Sequence, residues 1–430
     1  MAVGFIIEDA RGFKYILKFD GQEYPEAETA ADAVVQRLLW AAGYNVPENY
    51  VVRFRREDLL LSAESVIEDR LGNEKPMSEA FVARQLSRIA VEEDGSLRGL
   101  ASKYLDGEPV GGHLRDGVRP DDPNDRVPHE LRRELRGAYP LFAWVDHADA
   151  KVDNTLDMYV RDPVDPEVRY LVHYLVDFGK SLGAYGLTSR YKAQGRAYIY
   201  DFHDMALSLV TVGLWRRPWE GREWPRHLRG VGIFESRTFH PGRWKPATPG
   251  YFPFLDLDRF DGFWGAKIVA RFTPEHIRAA VEQGRYSDPR AIDYITRTLL
   301  ERQRMTVRYW FARVAPLDRF AVVAGAGGER LCFEDLALRY RLSGSAPAAS
   351  RYRARAYDRD GRETGWRAVG AGTRHGRACL PPLRAAPGRD GYTIVRIETD
   401  RPGHDLPAVL VHLAREPRRG ALRVIGLRRL

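Results

Sequence analysis

The residues with the clearest chemical potential lie in two short segments near the middle of the chain. The first reads His-Ala-Asp-Ala-Lys-Val-Asp-Asn over 147–154, and the second reads Asp-Phe-Gly over 177–179. Carboxylate and amide oxygens are the hard ligands that Mg²⁺ prefers. A further carboxylate beside a hydroxyl group can accept or orient its proton. This set of groups, in this order, could therefore carry out phosphoryl transfer from a nucleotide held by Mg²⁺.

Each of these residues can be given a role on that hypothesis. Asp149 is the candidate catalytic base, and Lys151 would neutralise the charge that develops on the transferred phosphoryl group. Asn154 and Asp177 are the candidate Mg²⁺ ligands. His147 is interpreted as a residue that braces the loop and takes no part in the chemistry. The alternative for the first segment, taken alone, is an ordinary polar loop.

Three segments of different character surround and contain these motifs, and together they predict an α+β fold. The first, 1–101, alternates predicted strands with helices, and the second, 102–315, is mostly helical and contains both motifs. In the third, 318–430, alternating and β-branched runs are separated by Gly and Pro turns, which predicts a β-sandwich. The chain is therefore expected to be multidomain.

Periodicity and turn residues predict the individual elements. A helix at 30–42 is expected to end at Gly43, since glycine is a common residue just beyond a helix. A charged helix is predicted at 130–136. The other predicted helices are 78–89, 274–284 and 289–314, and the predicted strands are 4–7, 15–19, 50–54, 155–160, 168–176, 352–357, 393–398, 408–413 and 422–427, with one more strand ending near 105.

The composition is typical of a globular protein, with 430 residues of which 44% are hydrophobic and 29% charged. No apolar run is long enough to span a bilayer and the first residues lack an export signal, so a cytoplasmic protein is expected. The net charge of +8 comes mostly from arginines scattered among acids, which favours a GC-rich genome over a nucleic-acid-binding surface. Cys332 and Cys379 show no metal-ligand spacing and are predicted to be free thiols, with a disulfide as an unsupported alternative.

The two motif segments resemble the His-Arg-Asp-x-x-x-x-Asn and Asp-Phe-Gly elements of protein kinases, and Tyr-Ile-Leu-Lys-Phe around Lys18 resembles their Val-Ala-Ile-Lys strand. Gly-Tyr-Asn-Val-Pro, starting at Gly43, is similar to the Gly-x-x-Val-Pro of HipA-like bacterial kinases. Over 1–315 the chain thus resembles the protein-kinase-like superfamily, closest to its HipA-like and phosphoinositide-kinase-like branches. The resemblance implies a two-lobed fold, with a small β-rich N-lobe (1–101) and a helical C-lobe (102–315). It also implies ATP and Mg²⁺ as cofactors.

The same resemblance implies residues that contact the nucleotide. Lys18 would bind the α- and β-phosphates and pair with a carboxylate of the first helix, either Asp32, which is preferred, or Glu28. A lysine that points inward from a strand is costly unless it meets an anion. The alternative is a solvated lysine on an edge strand. Further candidate nucleotide contacts are Gly4, Ile6 and Tyr104.

Several departures from the kinase pattern bear on function. Ala148 replaces the arginine that binds a phosphorylated activation loop in many kinases, so control by that route is not expected. The Gly-rich loop is reduced to Gly-Phe-Ile at 4–6, which predicts a truncated chain, a different cap over the nucleotide or a loss of catalysis. The aromatic-rich stretch 198–254 predicts either a substrate-side insertion or ordinary aromatic packing.

Four functions remain open at this stage. The favoured one is an ATP- and Mg²⁺-dependent phosphotransferase that acts on a hydroxyl of a protein or small molecule. The alternatives are a pseudokinase that binds nucleotide as a scaffold, a kinase-fold enzyme that transfers a nucleotidyl group, and a surface-binding protein whose β-domain carries the function. A nucleotide and an unidentified acceptor are the expected partners, with no nucleic acid and no membrane span. The oligomeric state is not indicated.

Overall fold

The computed structural model describes residues 4–68, 72–184, 192–325, 327–342, 349–388, 390–417 and 420–430. Helices and strands are interspersed along these residues, so the chain is a mixed α and β protein. No helix among them is long and apolar enough to cross a membrane. The chain divides into two compact units, one comprising Met1–Asp256 and Arg271–Gln303 and the other Leu257–Ala270 and Arg304–Leu430.

The elements are numbered in chain order over the described residues. The helices predicted at 78–89, 274–284 and 289–314 are confirmed, each shorter than predicted. The helices are α1 (Ala27–Ala42), α2 (Glu79–Leu86), α3 (Arg133–Arg136), α4 (Tyr139–Val145), α5 (Phe202–Val210), α6 (Phe252–Leu255), α7 (Arg259–Val269), α8 (Pro274–Glu282), α9 (Pro289–Phe311) and α10 (Leu336–Arg339). The strands are β1 (Gly4–Glu8), β2 (Lys14–Phe19), β3 (Asn49–Phe54), β4 (Val66–Glu68), β5 (Glu74–Pro76), β6 (Leu97–Lys103), β7 (Glu108–Pro109), β8 (Thr155–Arg161), β9 (Arg169–Leu175), β10 (Leu317–Gly325), β11 (Gly328–Asp335), β12 (Arg351–Tyr357), β13 (Glu363–Ala371), β14 (Arg377–Cys379), β15 (Thr393–Arg401), β16 (His404–Asp405), β17 (Val409–Arg415) and β18 (Leu422–Arg429).

The N-terminal sheet is antiparallel and has the strand order β1-β2-β6-β3. Its first two strands form the predicted hairpin. Leu17 and Phe19 point to one face, where they pack in a core with α2. Because side chains alternate along a strand, Lys18 points to the opposite face, beside its cross-strand partner Leu100. Helix α1 packs on that face through Ala33, which contacts Leu100.

Helix α1 begins earlier than predicted, at Ala27, and ends where predicted, at Gly43, whose φ is 100°. The early start depends on Asp20, which lies just after β2. Its Oδ1 accepts hydrogen bonds from the backbone N–H groups of Glu28 and Thr29, at 2.8 and 3.0 Å. These N–H groups have no partner within the helix, so Asp20 stabilises the first turn and brings Glu28 into it.

Strands β8 and β9 form the predicted hairpin, which joins the two motif segments. At the end farther from its turn, Thr155 pairs with Leu175. One step beyond, the N–H of Val176 donates to the carbonyl of Asn154 at 3.0 Å. Asn154 and Asp177 therefore leave the hairpin side by side, although 22 residues lie between them in the sequence.

The charged helix predicted at 130–136 was wrong in its extent. His129–Leu131 forms a 3-10 turn, Arg133–Arg136 forms the short α3, and Arg132 between them has extended backbone. The guanidinium of Arg132 donates to the carboxylate of Asp125 and to a neighbouring backbone carbonyl. These bonds to the preceding loop hold Arg132 outside the helical conformation that its sequence favours.

The second unit contains two antiparallel sheets that share one core. One has the order β10-β11-β14, and the other has the order β13-β12-β15-β17-β18, with β16 paired to β15. The strands predicted at 352–357, 393–398, 408–413 and 422–427 are confirmed as β12, β15, β17 and β18. Tyr352 and Val395 of the larger sheet lie in the same buried cluster as Leu331 and Phe333 of the smaller one.

Cys332 and Cys379 form a disulfide bond, so the prediction of free thiols was wrong. The two residues are direct partners across β11 and β14, and they are 47 residues apart in the sequence. Spacing alone could not identify the pair, because it depends on a strand pairing between distant parts of the chain.

Removal of this disulfide should destabilise the second unit. A Cys332→Ser, Cys379→Ser double variant frees a long loop in the unfolded state, which lowers the free energy of unfolding by about 2–4 kcal/mol. Thermal unfolding with and without reductant measures the effect. The wild type should lose stability when reduced, whereas the double variant should be indifferent to the reductant. Equal sensitivity of both proteins would contradict the pairing.

Candidate active site

Lys18 lies beside Asp177, the first residue of the Asp-Phe-Gly segment. Its Nζ is 3.2 Å from Asp177 Oδ1. Burial works against the charged form of Lys18, but the carboxylates of Asp32 and Asp177 raise its pKa above the ordinary value. Strand β2 lies between β1 and β6, so Lys18 is on an inner strand and meets an anion. The alternative of a solvated edge lysine does not fit this arrangement.

Asp32, the preferred partner of Lys18, is buried and makes its hydrogen bonds elsewhere. Its Oδ1 accepts from Asn49 Nδ2 at 2.5 Å, and its Oδ2 accepts from the backbone N–H of Phe178 at 3.2 Å. Burial raises the pKa of Asp32 to about 6, against the opposing charge of Lys18. Asp32 therefore ties α1 directly to the Asp-Phe-Gly segment, while the ion pair of Lys18 is made with Asp177.

Glu28, the other candidate of α1, faces the same group of charges. Its Oε1 is buried and has no hydrogen-bond partner. Burial, reinforced by the nearby charge of Asp20, raises the pKa of Glu28 to about 7. Lys180 and Lys18 are close enough to oppose this rise. An unpartnered carboxylate oxygen at this position is available to a cation.

Asp149 lies between two lysines. Its Oδ2 is 3.1 Å from Lys180 Nζ and 3.5 Å from Lys151 Nζ. Burial works against the charge of Asp149, but the two lysines lower its pKa below the ordinary value. Lys180 was missed in the sequence, although its place directly after Asp-Phe-Gly was an available signal. It is the nearer of the two cations.

The loop around Asp149 is held by its own side chains. Asn154 Nδ2 donates to the carbonyl of Asp149 at 2.8 Å, which commits the amide nitrogen and presents the amide oxygen as the atom for a cation. His147 is buried, its Nδ1 is 3.0 Å from Ser181 Oγ, and its ring packs on Phe178. Burial lowers the pKa of His147 to about 4. A neutral, buried histidine in these contacts fits the predicted bracing role.

Backbone and amide bonds connect this loop to the residues after Asp-Phe-Gly. The N–H of Ala148 donates to the carbonyl of Lys180 at 3.3 Å. The buried Gln194 donates from Nε2 both to that carbonyl, at 3.2 Å, and to the carbonyl of Asp146, at 3.1 Å. Asp177 itself has a φ of 62°, a left-handed conformation that costs free energy in a residue with a side chain. These bonds help to hold the strained segment in place.

A network of buried polar and charged side chains holds the residue that precedes the Asp149 loop, Asp146. Asp146 ends α4 with a φ of 56°, and its Oδ1 accepts from Trp244 Nε1 at 2.8 Å. Arg302 is fully buried, lies 3.7 Å from Asp146 and donates to the carbonyl of Ala143 at 2.6 Å. Burial lowers the pKa of Arg302 to about 9. Sequence reasoning missed this network, since its members come from distant segments and form no motif.

The remaining nucleotide candidates lie on the Lys18 side of the N-terminal sheet. Gly4 pairs directly with Lys18, and Ile6 pairs with Ile16, so by strand alternation all four lie on one face. Tyr104 follows β6 on the same face, and its N–H donates to the carbonyl of residue 14 at 3.0 Å. The side chains of Ile6, Ile16 and Tyr104 are exposed. Ile16 was missed in the sequence, although it has the same strand parity as Lys18.

A groove that lies mainly on the other face of the hairpin is separate from the charged residues around Lys18. It is lined by apolar residues such as Phe5, Phe54 and Phe81, and its lining includes Gly4 and Ile6. Lys18, Asp149, Asn154 and Asp177 are not among the residues that line it. The candidate site is therefore the group of charged residues on the α1 side of the sheet.

The aromatic-rich stretch 198–254 contains both buried and exposed apolar side chains. Trp244 and Phe254 are buried, and their rings pack against Tyr139 of α4, which is ordinary core packing. In contrast, α5 exposes several apolar side chains, among them Phe202 and Leu209. The substrate-side role of this stretch stays a prediction.

The raised pKa of Glu28 predicts a pH dependence of stability. The pKa of a glutamate carboxyl is about 4.5 in an unfolded chain, whereas burial raises the pKa of Glu28 to about 7 in the folded protein. Its stabilising contribution is fully present below pH 4.5 and is lost as the pH rises through about 7. Glu28→Gln should remove this loss, so the variant should exceed the wild type at pH 8 by on the order of 1–3 kcal/mol.

The measurement is the free energy of unfolding of both proteins between pH 4 and 8, without divalent cations. Glu23→Gln, which changes an exposed glutamate before α1, is the matched control and should follow the wild type. If the free energy of unfolding of Glu28→Gln depends on pH as that of the wild type does, the assignment of this titration to Glu28 is refuted.

Comparison with known proteins gives two similar solved structures. No protein-family model and no curated protein matches the chain. The golgi casein kinase has 8% identity over 72% of this chain and 70% of its own, with a TM-score of 0.31. The Rio2 kinase–ADP/Mg²⁺–phosphoaspartate complex from Chaetomium thermophilum has 14% identity over 66% of this chain and 68% of its own, with a TM-score of 0.23. TM-scores this low do not establish a shared fold, so the case for an activity comes from the residues of this chain.

Proposed function

We propose that the chain is a kinase-like phosphotransferase that uses ATP and Mg²⁺ and acts on a hydroxyl group of a protein or small molecule. The observation that carries the proposal is the meeting of three sequence-distant elements: Lys18 of β2, the Asp149 loop and the Asp-Phe-Gly segment. Lys18 lies 3.2 Å from Asp177, and Lys180, three residues beyond Asp177, lies 3.1 Å from Asp149. Phosphoryl transfer depends mainly on positioning and charge stabilisation by such groups.

The donor atoms of the site fit a magnesium ion. Asn154 and Asp177 supply an amide and a carboxylate oxygen, and the side chain of Asp177 is half exposed. Glu28 adds a buried carboxylate oxygen without a hydrogen-bond partner. Such hard oxygen donors are the ligands that Mg²⁺ takes, together with waters and phosphate oxygens. When bound, the ion would neutralise charge on the β- and γ-phosphates.

The lysines and Asp149 would act on the transferred group and its acceptor. Lys18 would bind the α- and β-phosphates, and Lys151 and Lys180 would offset the charge that develops on the γ-phosphoryl group. Asp149, kept ionised by those two lysines, would accept or orient the proton of the acceptor hydroxyl. The exposed apolar side chains of Ile6, Ile16 and Tyr104, on the same sheet face as Lys18, offer a surface for the nucleotide base.

Two other functions use the same residues. A pseudokinase would bind the nucleotide without turnover, and a nucleotidyl transferase would move the α-phosphoryl group instead. An ionised Asp149 flanked by two lysines favours catalysis over binding alone, since a scaffold needs no ionised base. The relationship of the chain to HipA-like kinases stays a prediction, which rests on the resemblance of residues 43–47 to Gly-x-x-Val-Pro.

Labelled ATP separates these three functions. With Mg²⁺ and an acceptor mixture, transfer of the γ-label and not of the α-label is expected. Asp149→Ala should slow this transfer by roughly 10²–10⁴-fold because it removes the base, and Asp177→Ala should do the same through loss of the metal ligand. Transfer of the α-label would support nucleotidyl transfer, and nucleotide binding without transfer of either label would support the pseudokinase.

Asp153→Ala is the matched control for these variants. Asp153 lies in the same loop, one residue before Asn154, and its side chain is exposed. The control should keep the wild-type rate. A loss of activity in Asp153→Ala equal to that in Asp149→Ala would show that any change in this loop is damaging. That result would refute the assignment of Asp149 as the base.

The position of Lys180 predicts a shift in the pH–rate profile. Lys180 is the nearer cation to Asp149 and lowers its pKa, so Lys180→Ala should move the acid limb of the profile to higher pH. Lys151→Ala should move it less, because its Nζ lies farther away. Lys75→Ala, which changes an exposed lysine on β5, should leave the profile in place. An unmoved acid limb in Lys180→Ala would refute the coupling.

A further inference from the structure

Three metal-ligand side chains meet on the β8–β9 hairpin, and none of them belongs to the proposed phosphotransfer set. Asp157 and His173 are cross-strand partners on β8 and β9, and His113 comes from the segment after β7. Their ligand atoms all lie within 4.8 Å of one another. Two imidazoles and one carboxylate are a ligand set that binds Zn²⁺ in proteins and leaves a fourth position to water.

We propose that His113, Asp157 and His173 bind a divalent transition-metal ion, with Zn²⁺ as the principal candidate. The Nδ1 atoms of His113 and His173 lie 2.5 and 2.7 Å from the same atom, Asp157 Oδ1. Imidazole nitrogen suits Zn²⁺ and related ions, whereas Mg²⁺ prefers oxygen ligands. This site is therefore chemically distinct from the Asn154 and Asp177 pair.

Burial and close backbone packing hold the three side chains in place. The Asp157 side chain is fully buried and that of His113 is 6% exposed, whereas that of His173 is 46% exposed. A cation can thus enter from the His173 side. The backbone of Gly112 packs so closely that a Cβ there would lie 2.7 Å from the carbonyl oxygen of Val152. That close approach restricts the backbone next to His113, while its ring can still rotate.

The charges around the cluster can accept a cation. Arg119 NH1 lies 3.2 Å from Asp157 Oδ2 and so orients the carboxylate with Oδ1 toward the histidines, as supporting groups do in metal sites. The charge of Arg119 is matched by Asp121, at 2.9 Å. Asp125 adds a further carboxylate, which accepts from the backbone N–H of Arg119 at 2.8 Å. The positive charge of Arg119 is therefore already offset.

Metal binding would replace the hydrogen bonds that now join the three groups. A neutral imidazole that donates Nδ1–H to Asp157 would give up that proton and carry one on Nε2 instead, and a protonated imidazole would release a proton to solvent. Zn–N and Zn–O distances of about 2.0–2.1 Å separate tetrahedral ligand atoms by about 3.3 Å. Both rings would therefore move from Asp157 by less than about 1 Å, which the half-exposed His173 can do by rotation.

The test is metal content after equilibration with Zn²⁺ and exhaustive dialysis, measured by mass spectrometry on the full chain. The measurement uses an Asp177→Asn background, which lacks one metal ligand of the proposed phosphotransfer site. The Zn²⁺ retained then does not depend on whether that site binds a metal ion. This protein should retain roughly one equivalent of Zn²⁺ per chain. His173→Ala in the same background should bind it at least about tenfold more weakly. Because His173 is half exposed, this variant should fold.

His203→Ala is the matched control, since His203 is an exposed histidine in the other His and Asp group of the described residues. It should retain Zn²⁺ like its parent. Co²⁺ gives an independent readout: visible absorption bands typical of four-coordinate Co²⁺ should form in the parent and be absent from His173→Ala. Equal Zn²⁺ retention by the parent and His173→Ala, or no retention by either, would overturn the proposal.

Discussion

The ion pair between Lys18 and Asp177 is the interaction on which the arrangement of the site depends. It joins Lys18, near the end of β2, to a segment that follows the β8–β9 hairpin. A lysine on an inner strand would be costly without an anion, and a carboxylate on left-handed backbone needs an outside contact to hold it. Each residue therefore satisfies a requirement of the other. Asp32 reinforces the pair, because it binds the backbone of Phe178 while its charge acts on Lys18.

The pKa of each carboxylate in the site depends on how closely lysine side chains approach it. Asp149 has two lysines within 3.5 Å, and its pKa falls. Glu28 has a buried oxygen without a partner, and its pKa rises to about 7. The two groups belong to one cluster of charges, yet burial dominates for one and the lysines dominate for the other. An ionised Asp149 and a partly protonated Glu28 can thus lie in the same cluster, because different neighbours set their pKa values.

Sequence reasoning anticipated which residues lie together where a local pattern carries the information. Asp149, Asn154 and Asp177 were selected from two short motifs, and the structure brings the segments together because a hairpin predicted from alternation joins them. Lys18 was selected because a strand lysine needs an anion. The ion pair that forms is with Asp177, whereas the preferred Asp32 accepts hydrogen bonds from Asn49 and from the backbone of Phe178. These predictions rest on periodicity and on charge, both of which can be seen in a few residues.

The features that were missed depend on contacts between distant segments. The network of Asp146, Trp244 and Arg302 and the disulfide of Cys332 and Cys379 each require a pairing that no local pattern encodes. The break at Arg132 has the same origin, since a bond to Asp125 outweighs helix propensity. Tertiary bonding overrides local preference in each of these places.

The β8–β9 hairpin connects the two kinds of chemistry inferred for this chain. Asn154 precedes its first strand and Asp177 follows its second, so the distance between these residues is set by the pairing of the two strands. The Asp157–His173 pair lies on the same two strands, only one step farther along that face than the Thr155–Leu175 pair. A metal ion bound at this pair would join the two strands near the end of the hairpin from which Asn154 and Asp177 emerge. Since phosphoryl transfer is sensitive to small errors of position, a metal ion held by Asp157 and His173 would act on the same strands that position Asn154 and Asp177.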